Sequence, residues 1–222
     1  MTYCVPVLSD KDMTLEFAPT VNAYMSQNVR DRASRIKLAC FDVDGTLTDG
    51  RLVFDSEGRE LKAFHAHDGQ GLVLLQRAGV IVALVTARVS PIVQHRAAEL
   101  GIKQVHLGAK DKLAKVRELA AQLDISLDEV AFMGDDAPDL RAMREVGLSV
   151  APADAHRWTL DAAHWRTTLG AGRGAARELC DLILESQGKV ESLLQGIVAA
   201  DSNVDPRHVA PFSAQEQREE AQ

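Results

Sequence analysis

The residues with the clearest chemical potential lie in one stretch, Asp42-Val-Asp44-Gly-Thr46-Leu-Thr-Asp49-Gly50, directly behind the apolar run Ile36 to Phe41. Two carboxylates this close are costly unless a cation neutralises them, so Mg²⁺ is implied. A carboxylate beside such an ion can attack phosphorus and carry an aspartyl-phosphate. The structural alternative is a solvated Asx-rich turn. Further polar groups follow later apolar runs: Thr86 after Val80 to Val85, and Asp135 and Asp136 after Val130 to Met133. Lys112 opens the amphipathic segment Asp111 to Leu123. Singly, Thr86 reads equally as a helix cap, Lys112 as a solvated lysine and Asp135-Asp136 as an acidic helix start. Their joint placement behind successive apolar runs favours one shared site.

The elements that must position these groups alternate. Ile36 to Phe41, Val80 to Val85, Gln104 to Leu107, Val130 to Met133 and Leu148 to Val150 are short apolar runs that predict buried strands, with a weaker one near Ala163 to Thr167. Between them lie predicted helices at about 68 to 78, with Asp68 as N-cap, then Ser90 to Leu100, Asp111 to Leu123 and Leu140 to Glu145. Ala175 to Gln187 closes the domain. This β–α order predicts a three-layer, Rossmann-like α/β fold on a parallel sheet, whose strand ends share one edge where ligands bind. Arg51 to Phe64 is the exception, with two extended segments flanking Asp55-Ser-Glu-Gly58, a predicted β-hairpin. Its apolar positions, Leu52, Phe54, Leu61 and Phe64, need a covering surface such as another subunit.

Residues 1–34 show no sustained period and read as a poorly ordered extension with a short helix near Val21 to Val29. The domain spans 35–187, with the hairpin at about 50–64. The tail 188–222 is charged beyond about 200 and is expected to be partly disordered. A net charge of −7 argues against a nucleic-acid or anionic-membrane surface as the main business. Cys4, Cys40 and Cys180 lie far apart without C-x-x-C spacing, and Cys40 falls inside a predicted strand as a core residue. With no apolar run of membrane-spanning length, a cytoplasmic enzyme is the expectation.

The ordered set of motifs carries a family resemblance. Asp42-Val-Asp-Gly-Thr-Leu-Thr-Asp-Gly50, Glu60-Leu-Lys-Ala-Phe64, Thr86-Ala-Arg88, Lys110-Asp-Lys-Leu113, Gly134-Asp-Asp136, Val150-Ala-Pro-Ala-Asp-Ala-His156 and Gly172-Arg-Gly-Ala175 together resemble the haloacid dehalogenase-superfamily phosphatases. Within them the chain is similar to the branch acting on 3-deoxy-D-manno-octulosonate 8-phosphate (KDO 8-phosphate). The resemblance implies Asp42 as nucleophile and Asp44 as proton donor and later base. It implies Mg²⁺ on Asp42, the Asp44 backbone carbonyl and Asp135, phosphate on Thr86 and Lys112, and Asp136 orienting Lys112 or a metal-bound water. Arg88, His67, Arg173 and Arg177 become candidate contacts to a phosphorylated sugar acid. A homotetramer is implied as well, and because no large insertion follows Gly50 or divides Arg88 from Lys110, no mobile cap domain is expected. Ala87 departs from the glycine usual between that threonine and arginine, adding a Cβ near the phosphate. A related phosphatase on a sialic-acid-type 9-phosphate, and a catalytically idle oligomerisation module, are the alternatives. His65 and His67 lack a third close ligand for zinc.

Overall fold

Four consecutive apolar residues, Leu38 to Phe41, form a strand buried on both faces, and the two-residue side-chain period splits them between two layers. Leu38 and Cys40 enter one core, Ala39 and Phe41 the other. The computed structural model describes residues 26–201. Its elements in chain order are α1 (Gln27–Ala33), β1 (Leu38–Phe41), β2 (Val53–Phe54), β3 (Glu60–Leu61), α2 (Ala66–Arg77), β4 (Ile81–Val85), α3 (Pro91–Glu99), β5 (Gln104–His106) and α4 (Lys112–Gln122). They continue as β6 (Val130–Met133), α5 (Leu140–Met143), β7 (Leu148–Ala151), α6 (Arg157–Ala162), β8 (Trp165–Arg166), α7 (Ala175–Ser186) and α8 (Val190–Asp201).

The main sheet has the order β5-β4-β1-β6-β7-β8 and every pairing is parallel. From β1 the chain runs outward through β4 to β5, then returns to the other side of β1 with β6. That reversal makes a crevice beyond the carboxyl ends of β1 and β6, the position where open α/β sheets bind ligands. Phe41 pairs with Leu84 and with Met133, so the residues just after these strands emerge at one level. Helices α1, α2, α3 and α7 cover one face of the sheet, and α4, α5 and α6 cover the other.

Several boundaries differ from the sequence expectation for physical reasons. Helix α2 starts at Ala66 with His65 as N-cap, so Asp68 lies inside the first turn instead of capping it. Its buried carboxylate accepts the N–H groups of Gly174 (3.2 Å) and Arg177 (2.8 Å), capping α7 across 106 residues of sequence. Gly174 opens α7 at φ 111° and offers no side chain of its own, so the distant aspartate takes that role. Residues 27–33 are helical and pack Val29 and Ala33 into the core, so ordered structure begins ahead of Arg35. The remainder of the expected extension, residues 1–25, and the expected disorder beyond 201 lie outside the described residues. Helices α6 and α8 were not expected; Val190, Leu193 and Ile197 of α8 pack against the α1–α2–α7 layer.

The hairpin β2–β3 is a separate antiparallel ribbon, pairing Val53 with Leu61 and Phe54 with Glu60. Asp55 organises its turn by accepting the N–H groups of Glu57 (2.9 Å) and Arg59 (2.8 Å). Leu52, Val53, Phe54 and Leu61 stand about half exposed on it. Among the described residues it is the only insertion between β1 and α2, and no helix is long and apolar enough to cross a membrane.

Candidate active site

Each central strand delivers a polar group to the crevice. After β1, the Asp42 N–H still donates to the Met133 carbonyl (2.9 Å), which ties the Asp42 loop to β6. After β4, the Thr86 N–H donates to the His106 carbonyl (3.0 Å), and its own carbonyl accepts from Ala109 (2.9 Å), so Thr86 is buried and fixed at the strand end. Asp111 caps α4 by accepting the Ala114 N–H (3.1 Å), which sets Lys112 at the first helical position, facing the strand ends.

Lys112 is the centre of a buried charge cluster. Its Nζ lies 2.9 Å from Asp42 Oδ1 and 2.5 Å from Asp139 Oδ1. The other oxygen of Asp139 accepts the N–H groups of Asp135 (3.1 Å) and Asp136 (3.2 Å). Thr46 Oγ1 donates to Asp135 Oδ1 (3.5 Å). Oxygens of Asp42, Asp135 and Asp139 lie within 4.8 Å of one another. Burial and then the Asp139 charge push the Asp42 carboxyl up to about 6, against the pull of Lys112. Burial, then Asp42 and Asp139, push Asp135 up to about 8. Burial opposes the charge on Lys112, but the two carboxylates outweigh it and raise its pKa. One ammonium thus faces three carboxylates, leaving an excess of negative charge and a set of hard oxygen donors. That donor set fits a small divalent cation such as Mg²⁺. Gly45 permits the close approach: at φ +87°, a Cβ there would sit 2.1 Å from Asp135 Oδ2.

A second network joins the Asp42 loop to the hairpin. Asp44 Oδ1 accepts a short hydrogen bond from Lys62, whose side chain is 2% exposed. Asp44 Oδ2 lies 3.6 Å from Arg88 Nε. Glu60 bridges the two cations, at 3.2 Å from Lys62 Nζ and 2.5 Å from Arg88 Nη2, and also accepts from Ser90 Oγ (3.2 Å). Lys62 and Arg88 together outweigh the burial of Glu60 and lower its pKa.

The structure therefore brings together Asp42, Asp44, Thr86, Lys112, Asp135 and Arg88 of the residues singled out in sequence. Asp136 does not hold Lys112. It is exposed and accepts the Ala137 N–H (2.7 Å), capping the short 3₁₀ turn Ala137–Asp139. Asp139 occupies the position expected of it, because one helical turn after Asp135 the chain folds back over the strand end. The 3₁₀ turn Ala137–Asp139 makes that difference, and the sequence does not distinguish the two aspartates. Lys62 was also missed; directly after β3 and two residues from Glu60, it turns to the same side. His67 is exposed on α2, edge-on to His65 with ring centroids 5.2 Å apart. Arg177 directs its Nε to Asp181 (2.7 Å) along α7. Arg173 is exposed on a loop that reaches the Asp42 loop through the Gly172 N–H to Thr46 carbonyl bond (3.2 Å).

Comparison with known proteins agrees with this geometry. Residues 106–179 match the family model for haloacid dehalogenase-like hydrolases. The 3-deoxy-D-manno-octulosonate 8-phosphate phosphatase KdsC of Yersinia pestis is 44% identical over 167 residues, 75% of this chain and 89% of that protein. A hypothetical protein from Xanthomonas campestris superposes with a TM-score of 0.79 at 48% identity, covering 81% of this chain and 98% of that one. The Moraxella catarrhalis phosphatase, solved with magnesium, phosphate and KDO, superposes with a TM-score of 0.76 at 39% identity, over 78% and 99% of the two chains. With the carboxylate cluster, the parallel sheet and the hairpin all in place, the chain belongs to the KDO 8-phosphate phosphatase family of haloacid dehalogenase-like hydrolases.

Proposed function

We propose that this protein is a Mg²⁺-dependent phosphomonoesterase that hydrolyses KDO 8-phosphate to the free sugar acid and phosphate. The observation that carries this reading is the buried Asp42 carboxylate, held by Lys112 beside Asp135 and Asp139, with Asp44 two residues on. Asp42 attacks phosphorus in line, forming its own acyl-phosphate bond as the ester P–O bond breaks. The Asp44 carboxyl gives its proton to the leaving sugar oxygen. The resulting Asp44 carboxylate then takes a proton from water, whose oxygen attacks phosphorus and frees Asp42 and inorganic phosphate. Lys112 and Thr86 supply donors to the phosphoryl oxygens as charge shifts onto them. Asp42, Asp135 and the Asp44 backbone carbonyl would hold Mg²⁺, which when bound would offset the phosphoryl charge that otherwise opposes the approach of the Asp42 carboxylate. Asp139 keeps Lys112 in place.

Among the described residues no cap domain covers the site, so the Asp42 side reads only the phosphoryl group and selectivity comes from groups around the leaving sugar. Arg88 is 41% exposed at the rim, close enough to pair with a sugar-acid carboxylate once it leaves Glu60 and Asp44. Arg173 is a second donor from the adjoining loop. Arg177 would have to give up Asp181 to join them. The half-exposed apolar side of the hairpin supports a homotetramer in which neighbours narrow the open site. This reading assigns the protein to a cytoplasmic step of lipopolysaccharide precursor synthesis.

The test is a substrate panel with and without Mg²⁺: KDO 8-phosphate, a sialic-acid-type 9-phosphate and p-nitrophenyl phosphate. KDO 8-phosphate should give the highest kcat/KM, and chelation should abolish release from all three. A higher kcat/KM on the 9-phosphate would move the assignment to the sister activity, and no release from any ester would leave an idle module.

A further inference from the structure

Lys62 is the residue that the scheme above leaves without a task. It directly follows β3, where side chains alternate: Leu61 points outward, 57% exposed, while Glu60 and Lys62 turn in toward the Asp42 loop. The Lys62 side chain is 2% exposed, and a buried ammonium persists only where carboxylates compensate it. Glu60 supplies that charge here, and Asp44 Oδ1 accepts a hydrogen bond from the same ammonium, which leaves Oδ2 to carry the proton.

Resting on the phosphatase reading, we propose that Lys62 is a positioning residue for the Asp44 proton donor, which makes the hairpin part of the catalytic apparatus. The two oxygens of Asp44 have unlike partners. Oδ1 is held by Lys62, which is enclosed by the hairpin. Oδ2 faces Arg88 across 3.6 Å, a long contact to a side chain 41% exposed. Arg88 can swing to a substrate carboxylate and release Oδ2, whereas Lys62 has no room to leave. The carboxyl group therefore keeps one oxygen anchored and presents the other to the leaving oxygen. As the bond from Asp42 to phosphorus forms and the ester P–O bond breaks, the proton passes from Asp44 to that oxygen and the sugar departs as an alcohol. Without the anchor, Asp44 retains only the mobile arginine and spends less time in the productive rotamer.

This role predicts a signature that a merely structural residue would not give. A sugar alkoxide is a poor leaving group and needs the proton; p-nitrophenolate departs without it. Because kcat/KM reports only steps up to the first irreversible bond cleavage, the later use of Asp44 as a base does not obscure the comparison. Lys62→Met should lower kcat/KM for KDO 8-phosphate by about 10²-fold, and for p-nitrophenyl phosphate by no more than about threefold. Lys62→Gln keeps an N–H donor and should recover part of the loss on the sugar ester; it carries the same comparison if Lys62→Met does not fold. A melting temperature measured on each variant establishes folding. Equal losses on both esters, or no loss on either, would overturn the proposal. A folded wild type that releases phosphate from neither ester would overturn the phosphatase reading itself, and the proposal with it.

Discussion

Replacing Asp139 by Asn tests whether this residue, and not Asp136, holds Lys112. The Asp139 side chain is 1% exposed and accepts three donors, the Lys112 ammonium on one oxygen and the N–H groups of Asp135 and Asp136 on the other. An amide has one acceptor oxygen. Whichever way it is turned, its NH₂ faces either an ammonium or two N–H groups, so at least one buried donor loses its partner. A hydrogen bond to a charged group is worth about 1.5–3 kcal/mol, and breaking a buried pair outright costs about 3–5 kcal/mol. Two effects reduce that loss: Lys112 keeps Asp42 at 2.9 Å, and one of three mutually repelling carboxylates disappears. The net destabilisation should be about 1–3 kcal/mol, a fall in Tm of about 3–10 °C for a chain of this size. With Lys112 less fixed, kcat/KM should fall about 10–100-fold. Asp136→Asn removes only the charge of an exposed cap and should cost less than about 1 kcal/mol, with kcat/KM within about twofold. Calorimetry and a phosphate-release assay on both variants decide the matter. An Asp136→Asn variant that is hit as hard as Asp139→Asn, or an unaffected Asp139→Asn, would refute the reasoning.

The carboxyls of Asp135 and Asp42, pushed up to about 8 and about 6, take up protons on folding without metal. Their contribution to metal-free stability is therefore fully present below about pH 4 and is lost as pH rises through 6 and then 8. Mg²⁺ must displace those protons, so its stabilising shift in Tm should be larger at pH 8 than at pH 5.5; an equal shift would contradict the cluster as the metal site. Gly45→Ala sets a Cβ 2.1 Å from Asp135 Oδ2 at a backbone φ of +87°. It should cost about 2 kcal/mol or more and weaken Mg²⁺ binding by titration calorimetry, and unchanged affinity would show that Asp135 is not a ligand. Charged replacements of Leu52 and Phe54, 50% and 53% exposed, should yield smaller species by light scattering. An unchanged molar mass with folding retained would remove the hairpin from the interface.

Much of this was legible in the sequence because strand ends are punctuated chemically. Apolar runs ending in Asp42, Thr86 and Asp135 gave both the strands and the crevice, since a parallel sheet aligns its carboxyl ends. Pairings across long separations were not legible. Asp68 has the sequence context of a local cap, but it caps α7 because Gly174 cannot. Asp136 and Asp139 are chemically alike, and only the turn of the chain after β6 decides which one meets Lys112. Lys62 lies 18 residues from Asp44, on a ribbon whose apolar residues drew attention to its outer side. Helix α8 has its apolar stripe, but a segment following a completed domain invites reading as a tail.

The central claim is that Asp42 is the nucleophile of a Mg²⁺-dependent phosphatase. Asp42→Asn keeps the shape and one contact to Lys112 while removing the anionic oxygen that attacks phosphorus. The decisive measurement is phosphate release from KDO 8-phosphate by the folded variant and the wild type, each with and without Mg²⁺. The account predicts Mg²⁺-dependent turnover by the wild type and a loss of at least about 10³-fold in the variant. Appreciable Mg²⁺-dependent release by the pure, folded Asp42→Asn protein would contradict it.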